Sequence, residues 1–329
     1  MTRALPAVAI ALLAVALAAA GCGIGPGASV GDISLTVTRD YGAESLLSVE
    51  SQQASESDTV MRLLDRSTEI STRYGGRFIS SIDGLAQARG GGSLFDWLYY
   101  VNGVEASVGA ADYPLHAGDR VWWDYRDWSA AQSVPAVVGS WPQPFRDGYD
   151  GKPHPVAVEC LGGGRACGEV RSRLTAAGAS LAKGSPGDAI RVLVGPWARV
   201  REDPAAAQIE AGPQQSGVFA QFALAPRRRR AENVHISDGI GPSAAVGRVY
   251  GLRGLDEGGK EARAFGLGAG LVAATRRYGA PPVWVLTGPT RRGVAAAARL
   301  LDARDLRDHY AVAVEGGRET PLPIGAGAR

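Results

Sequence analysis

Residues 97–128 read WLYYVNGVEASVGAADYPLHAGDRVWWDYRDW. The stretch holds four of the chain's seven tryptophans and four of its ten tyrosines, in a protein with only 7% aromatic residues. Such crowding marks either a core or a surface that grips a flat ligand. The two-residue period of a strand separates these readings, because successive side chains point to opposite faces. Trp97, Tyr99 and Val101 share one face; Val121, Trp123 and Tyr125 share one face of the last strand. Leu98, Tyr100, Trp122 and Asp124 point the other way. Asn102-Gly103 suits a tight turn that needs positive φ, so residues 96–106 read as a hairpin. The segment His116-Ala117-Gly118-Asp119 then turns the chain into the final strand.

Working outward, Ile33, Leu35 and Val37 alternate with Ser34, Thr36 and Thr38, a half-buried strand with residues 45–51 as its hairpin partner. Ser57 or Asp58 can cap a helix whose Val60, Leu63 and Leu64 fall together. Residues 77–85 read as another strand, ending in the turn pair Asp83-Gly84. One helix can cover only one side of a sheet. The Trp97 and Trp123 sets are therefore the expected core, and Tyr100 and Trp122 are left on the opposite face. Either the rest of the chain covers these two rings, for example through Trp141 or Phe145, or they form a stacking platform for a planar or apolar ligand.

Two motifs carry a family resemblance. Trp97, Tyr99, Val101, Asn102 and Gly103 form W-x-Y-x-V-N-G. Tyr113, Leu115, Gly118, Asp119, Val121, Trp123 and Tyr125 form Y-x-L-x-x-G-D-x-V-x-W-x-Y. Together they resemble the transcobalamin-like C-terminal domain, over about residues 32–128. The resemblance implies a β-grasp fold, a mixed sheet with one main helix, and a tendency to bind soluble ligands. In the vertebrate carriers that ligand is cobalamin. Those carriers have a large helical barrel before the module, and this chain has none.

Residues 129–153 are rich in Pro, Gly and Ser without apolar periodicity and read as an interdomain linker. From 154 to 329 strands and helices alternate, which indicates an α/β layered domain. Strands are expected at 155–160, 189–196, 217–224, 282–289 and 309–317. Helices are expected at 168–178, 203–212, 261–279 and 292–305. Asp203 and Pro204 are suited to the cap and first position of the second of these. Gly266, Gly268 and Gly270 lack dinucleotide-binding spacing and read as a tight helix-packing face. The segments Val192-Leu193-x-Gly195-Pro196 and Val285-Leu286-x-Gly288-Pro289 echo each other. They read either as two β-α-β copies flanking a cleft or as shared punctuation at strand ends. The fold class expected for the whole chain is α+β.

The N-terminus gives location. Arg3, an uncharged apolar run from Ala4 to Ala20 and then Gly21-Cys22 form a secretory signal pattern over residues 1–22. Ala19-Ala20-Gly21-Cys22 resembles a bacterial lipobox, which implies lipidation at Cys22, with residues 23–31 as a tether. The expected location is the outer face of the cytoplasmic membrane or the cell envelope. Once Cys22 is set aside, Cys160 and Cys167 remain as a pair, expected to be disulfide-bonded in an oxidising compartment. Net charge is +2, so nothing in the overall balance points to nucleic acid. Arg227 to Arg230 read first as a solvated loop tip and second as a contact with anionic lipid headgroups.

No catalytic or metal-binding motif is found. His116, His154, His235 and His309 are scattered, and the nearness of His235 to Ser237 and Asp238 in sequence does not make a triad. The leading expectation is a non-catalytic, lipid-anchored protein with no cofactor. It would bind a soluble small ligand, a corrinoid among the candidates, by stacking on Tyr100 and Trp122 while Asn102 and Asp124 orient polar edges. Two alternatives stand beside it: a structural or assembly lipoprotein that binds an envelope protein, and an envelope enzyme with its site in the C-terminal domain.

Overall fold

A computed structural model of the chain describes residues 28–162, 164–224 and 249–327. The readings at Cys22, at Arg227 to Arg230 and at His235, Ser237 and Asp238 lie outside the described residues.

The N-terminal unit is built on a mixed sheet. Its elements are β1 (Ser29–Arg39), β2 (Glu44–Ser55), α1 (Val60–Ser67), β3 (Ile70–Arg73), β4 (Phe78–Ile82), β5 (Leu85–Ala86), β6 (Ala88–Gly90), β7 (Ser93–Val101), β8 (Val104–Glu105) and β9 (Arg120–Asp127). The main sheet runs β2-β1-β9-β7-β6, and β3, β4 and β5 form a smaller one. The first and last strands pair in parallel at its centre, Val37 opposite Trp123, and the neighbouring pairs are antiparallel. This is the β-grasp arrangement expected from the sequence.

Alternation does the sorting as read. Trp97, Val101, Val121, Trp123 and Tyr125 are buried with Ile33, Leu35 and Val37 against Val60, Leu63 and Leu64 of α1. Asn102 and Gly103 take φ of 55° and 76° in the β7–β8 turn. The helix cap differs from both residues proposed. Thr59 is the cap and accepts from the Arg62 amide. Asp58 turns back to accept from the Ser55 amide and to pair with Arg66.

The C-terminal unit contains β10 (Val156–Cys160), α2 (Arg165–Ala176), β11 (Ile190–Pro196), α3 (Trp197–Val200), α4 (Pro213–Ser216), β12 (Ala220–Leu224), β13 (Tyr250–Leu255), β14 (Glu261–Ala264), β15 (Gly270–Thr275), β16 (Val283–Gly288), α5 (Arg291–Arg299), α6 (Ala303–Leu306), β17 (Ala311–Glu315) and β18 (Arg318–Leu322). Its sheet runs β10-β11-β16-β15-β17-β18, and β12, β13 and β14 form a separate sheet. One face of the six-stranded sheet, including Val158, Val192, Trp284, Leu286 and Val312, lies under Val170 and Leu174 of α2 and Val294 and Ala297 of α5. The other face, including Leu193, Val285, Leu271 and Ala313, belongs to a second core shared with the N-terminal unit.

Three expectations for this unit are corrected. Residues 261–279 hold β14 and β15, not a helix. Glycine is a poor helix former, and β15 is buried at every position, so this part of the segment has no face to show solvent. A Cβ on Gly270 would stand 2.7 Å from the Ala297 amide nitrogen, so glycine lets strand and helix meet, rather than two helices. Residues 203–212 form a 3-10 helix at Ala206–Ala211, with the Asp203 side chain accepting from the amides of Ala205 and Ala206. The repeated Gly-Pro segments lie side by side on β11 and β16 but continue differently. A single turn holding buried Trp197 follows the first, and α5, on the opposite face, follows the second. The β-α-β units are instead β10-α2-β11 and β16-α5-β17, the latter with β15 inserted between its strands.

Residues 129–153 hold no helix or strand, yet Val134, Val137, Val138, Trp141 and Phe145 are buried. Val134 and Val137 join the shared core, whereas Val138, Trp141 and Phe145 reach the helix side, where Phe145 packs on Trp284 at 4.7 Å between centroids. The linker is thus a strap that contributes to both cores.

Cys160 at the end of β10 and Cys167 in α2 are disulfide-bonded, with Cα atoms 5.8 Å apart and a separation of seven residues. A loop this short stabilises the fold by roughly 2–3 kcal/mol in the chain-entropy account. Replacing both cysteines with serine is expected to lower unfolding stability in urea by about that amount; a double variant as stable as the parent would show that the bridge does not constrain the unfolded chain.

Candidate functional site

The outward face of β9 carries Trp122, Asp124 and Arg126 in alternation, beside Tyr100 of β7. All four are buried, Tyr100, Asp124 and Arg126 completely and Trp122 to 2% exposure. This corrects the expectation of an open platform, and also the idea that Trp141 or Phe145 closes it. The covering ring is Tyr310, just before β17. It meets Trp122 at 5.3 Å, Tyr100 at 5.7 Å and Tyr41 at 5.1 Å between centroids, always edge-to-face. Tyr41 in turn meets Phe219 at 5.0 Å. Edge-to-face pairs contribute about 0.5–1.5 kcal/mol each beyond the burial itself.

Two glycines permit the close approach. Gly42 follows Asp40 and Tyr41 in a turn where all three have positive φ. A Cβ there would overlap the Asp308 carbonyl and stand 3.1 Å from the Trp122 ring. A Cβ on Gly139 would stand 2.8 Å from both the Trp122 ring and the His309 amide nitrogen. The indole is therefore held between backbone from the β1–β2 turn, the strap and the segment that precedes β17.

The polar groups beneath the rings form one network. The Asp124 carboxyl accepts from the Thr38 hydroxyl at 2.6 Å, the Tyr310 hydroxyl at 2.9 Å and the Gly42 amide at 3.1 Å. The Trp122 indole N–H donates to the same threonine oxygen at 2.8 Å. Burial pushes the Asp124 carboxyl above the usual carboxylate range, against the pull of these donors and of Arg126. The Arg126 guanidinium donates through Nη1 to the Ala131 carbonyl at 2.9 Å and lies 5.5 and 5.9 Å from the Tyr41 and Tyr310 ring centres. Its Nε and Nη2 have no hydrogen-bond acceptor among the described residues, and the ring faces take that place. Burial opposes its charge, but the three phenols and Asp124 hold its pKa up. Burial likewise raises the pKa of Tyr100 and Tyr310, which stay neutral donors.

Asn102 is elsewhere. Its amide donates to Asp119 at 2.8 Å and to the Gly148 carbonyl at 2.9 Å, and its oxygen accepts from the Arg120 amide. It ties the β7–β8 turn to the strap instead of facing Tyr100 and Trp122.

The structure therefore brings together Tyr100, Trp122 and Asp124 of the sequence-derived set and adds Thr38, Tyr41, Arg126 and Tyr310. Arg126 had a signal, since it lies two residues beyond Asp124 on the same face. Tyr41 and Tyr310 had none, because each is a solitary ring in a distant segment.

Residues 57–127 match the model of a family described as a domain of unknown function, DUF4430. The match runs from just before α1 to the end of β9 and includes both aromatic motifs. No curated protein matches the chain.

Tyr310→Phe keeps the ring and removes the donor to Asp124. Leaving a buried acceptor short of its donor costs about 1–3 kcal/mol, so urea unfolding should show a loss of that order. An unchanged midpoint would mean that the docked face is not held by this bond.

Proposed function

We propose that this is an exported, lipid-anchored, non-catalytic protein of structural or assembly type, in which the β-grasp module uses its aromatic face to bind the chain's own second unit. The observation that carries the reading is the complete burial of Tyr100 and near-complete burial of Trp122 beneath Tyr310. A surface that recognises a soluble ligand presents its rings to solvent, and this one spends them internally. The lipobox-like sequence before Cys22 supports the anchor. Recognition of an envelope partner then falls to surfaces outside the aromatic seam.

The motif residues Trp97 to Gly103 and Tyr113 to Tyr125, together with the mixed sheet, support assigning residues 32–128 to the transcobalamin-like modules. This keeps a second reading in view, in which a corrinoid or another flat ligand stacks on Tyr100 and Trp122. That reading demands that Tyr310 and Tyr41 leave the face, at the cost of the Asp124 hydrogen bond.

Labelling with a radioactive fatty acid in a bacterial host should mark the parent and not Cys22→Ala, which should also leave the membrane fraction; label on the variant would sink the anchor. Titration calorimetry with cobalamin is expected to give no heat of binding. Saturable heat that disappears in Trp122→Ala would replace the assembly reading with the ligand reading.

A further inference from the structure

Where the aromatic seam reaches the edge of the C-terminal sheet, the two units leave a cavity of about 330 Å³. Pockets that hold small molecules span roughly 300–1,000 Å³. The β1–β2 turn, residues 41–43, forms one wall, and His309 with residues 320–326 forms the other. The second wall is an arch. The chain leaves β18 at Leu322, and the Ile324 amide donates to the Leu255 carbonyl at 2.8 Å. It then returns to the turn at Gly327, where a Cβ would stand 2.9 Å from that of Ala43. β18 is the edge of its sheet, so among the described residues no further strand fills this space.

Most of the lining is apolar. Ile324 and Ala326 pack against the shared core but are only partly buried by it, which leaves apolar surface for the cavity. Pro321 and Pro323 add two saturated rings, and no Lys, Arg, Asp or Glu is among the lining residues. The Tyr41 hydroxyl is already spent on the Asp127 carbonyl, and the Thr320 hydroxyl accepts from Arg263 at 3.4 Å. The His309 imidazole differs from both. Burial lowers its pKa against the pull of the Asp308 carbonyl, so the ring is neutral at pH 7. A neutral imidazole has one N–H and one acceptor nitrogen. The carbonyl takes the first, and among the described residues no donor hydrogen-bonds the second.

These features select a ligand. A charged molecule would be buried without a counter-charge, which is costly. An apolar cavity of roughly 150 Å³ holds one benzene ring, so this one has room for two fused rings. Proline packs well on aromatic faces, and the free imidazole nitrogen can accept from one O–H or N–H.

We propose that this cavity binds a small neutral aromatic molecule with one hydrogen-bond donor, of the phenol or indole class, its donor on His309 and its rings between the β1–β2 turn and Pro321 and Pro323. One wall comes from each unit, so the ligand stabilises the docked arrangement. The inference goes beyond the assembly reading and needs neither the lipid anchor nor an envelope partner. The site is separate from the Tyr100 and Trp122 face, which stays closed.

The test titrates the purified full chain with 2-naphthol and with indole. Calorimetry is expected to show one saturable site for each, with a rise in thermal midpoint. Ala326→Trp fills the cavity and should weaken binding at least about tenfold. Ala43→Leu does so from the opposite wall. Ala43 is exposed, which keeps the test valid if the Ala326 variant does not fold. His309→Leu should weaken 2-naphthol about fivefold to tenfold, the worth of one hydrogen bond. The same change should leave 2-methoxynaphthalene, which has no donor, unaltered. Equal losses for the two naphthalenes would overturn the role of His309. No saturable binding of either probe, or binding that survives both Ala326→Trp and Ala43→Leu, overturns the site.

Discussion

A carboxyl and a guanidinium two residues apart on one strand, both without solvent exposure, are the constraint on which the rest of the molecule depends. Asp124 and Arg126 lie on the face of β9 that α1 cannot cover. The β-grasp sheet supplies Thr38 and the Gly42 amide to the carboxyl, but a third donor, the Tyr310 hydroxyl, comes from the other unit. The guanidinium takes its acceptor from Ala131 in the strap and its remaining neighbours from the Tyr41 and Tyr310 rings. Removing one of these donors or acceptors leaves a buried polar group short of a partner, which costs about 1–3 kcal/mol. Aromatic rings can slide over one another with little change in energy, whereas hydrogen bonds to a buried carboxyl cannot. The polar pair therefore decides where the rings stop.

The consequence is a protein whose two units form one body. The strap reinforces it, because its valines and aromatics enter both cores and its backbone pairs with both sides. The Val137 amide donates to Gly103 in the first unit, and the Val138 amide donates to Tyr310 in the second. The seam so formed has a dry half and a wet half. The dry half excludes solvent from Trp122. The wet half collects the hydroxyls that strand alternation turns outward, beside Arg120 and Arg307 and the carboxyls of Glu50 and Asp308.

Most of the first unit was legible in the sequence. Its strands have one buried face, so the two-residue period survives in the chemistry of the residues and sorts Trp97 and Trp123 from Trp122. The turn pairs Asn102-Gly103 and Asp83-Gly84 could be read because few other dipeptides accept positive φ. The second unit was less legible because its sheet is buried on both faces. A run such as β15 is then uniformly apolar and carries no period, and a helix and a strand look alike in it. The strap was read as a bare linker for a related reason. Residues buried by an irregular path obey no period at all.

By itself, then, the sequence determined the main strands and the helix of the β-grasp module, the division of its rings between two faces, and the cysteine pair in the second unit, because each of these follows from neighbours within a few positions along the chain. Only the tertiary structure decided what becomes of the outward face. The residues that close it, Tyr41, Gly139 and Tyr310, come from segments far apart in the chain, and no local pattern records that they meet. Burial is a property of the assembled body, so whether an aromatic face is a binding surface or an internal seam is settled by what packs against it.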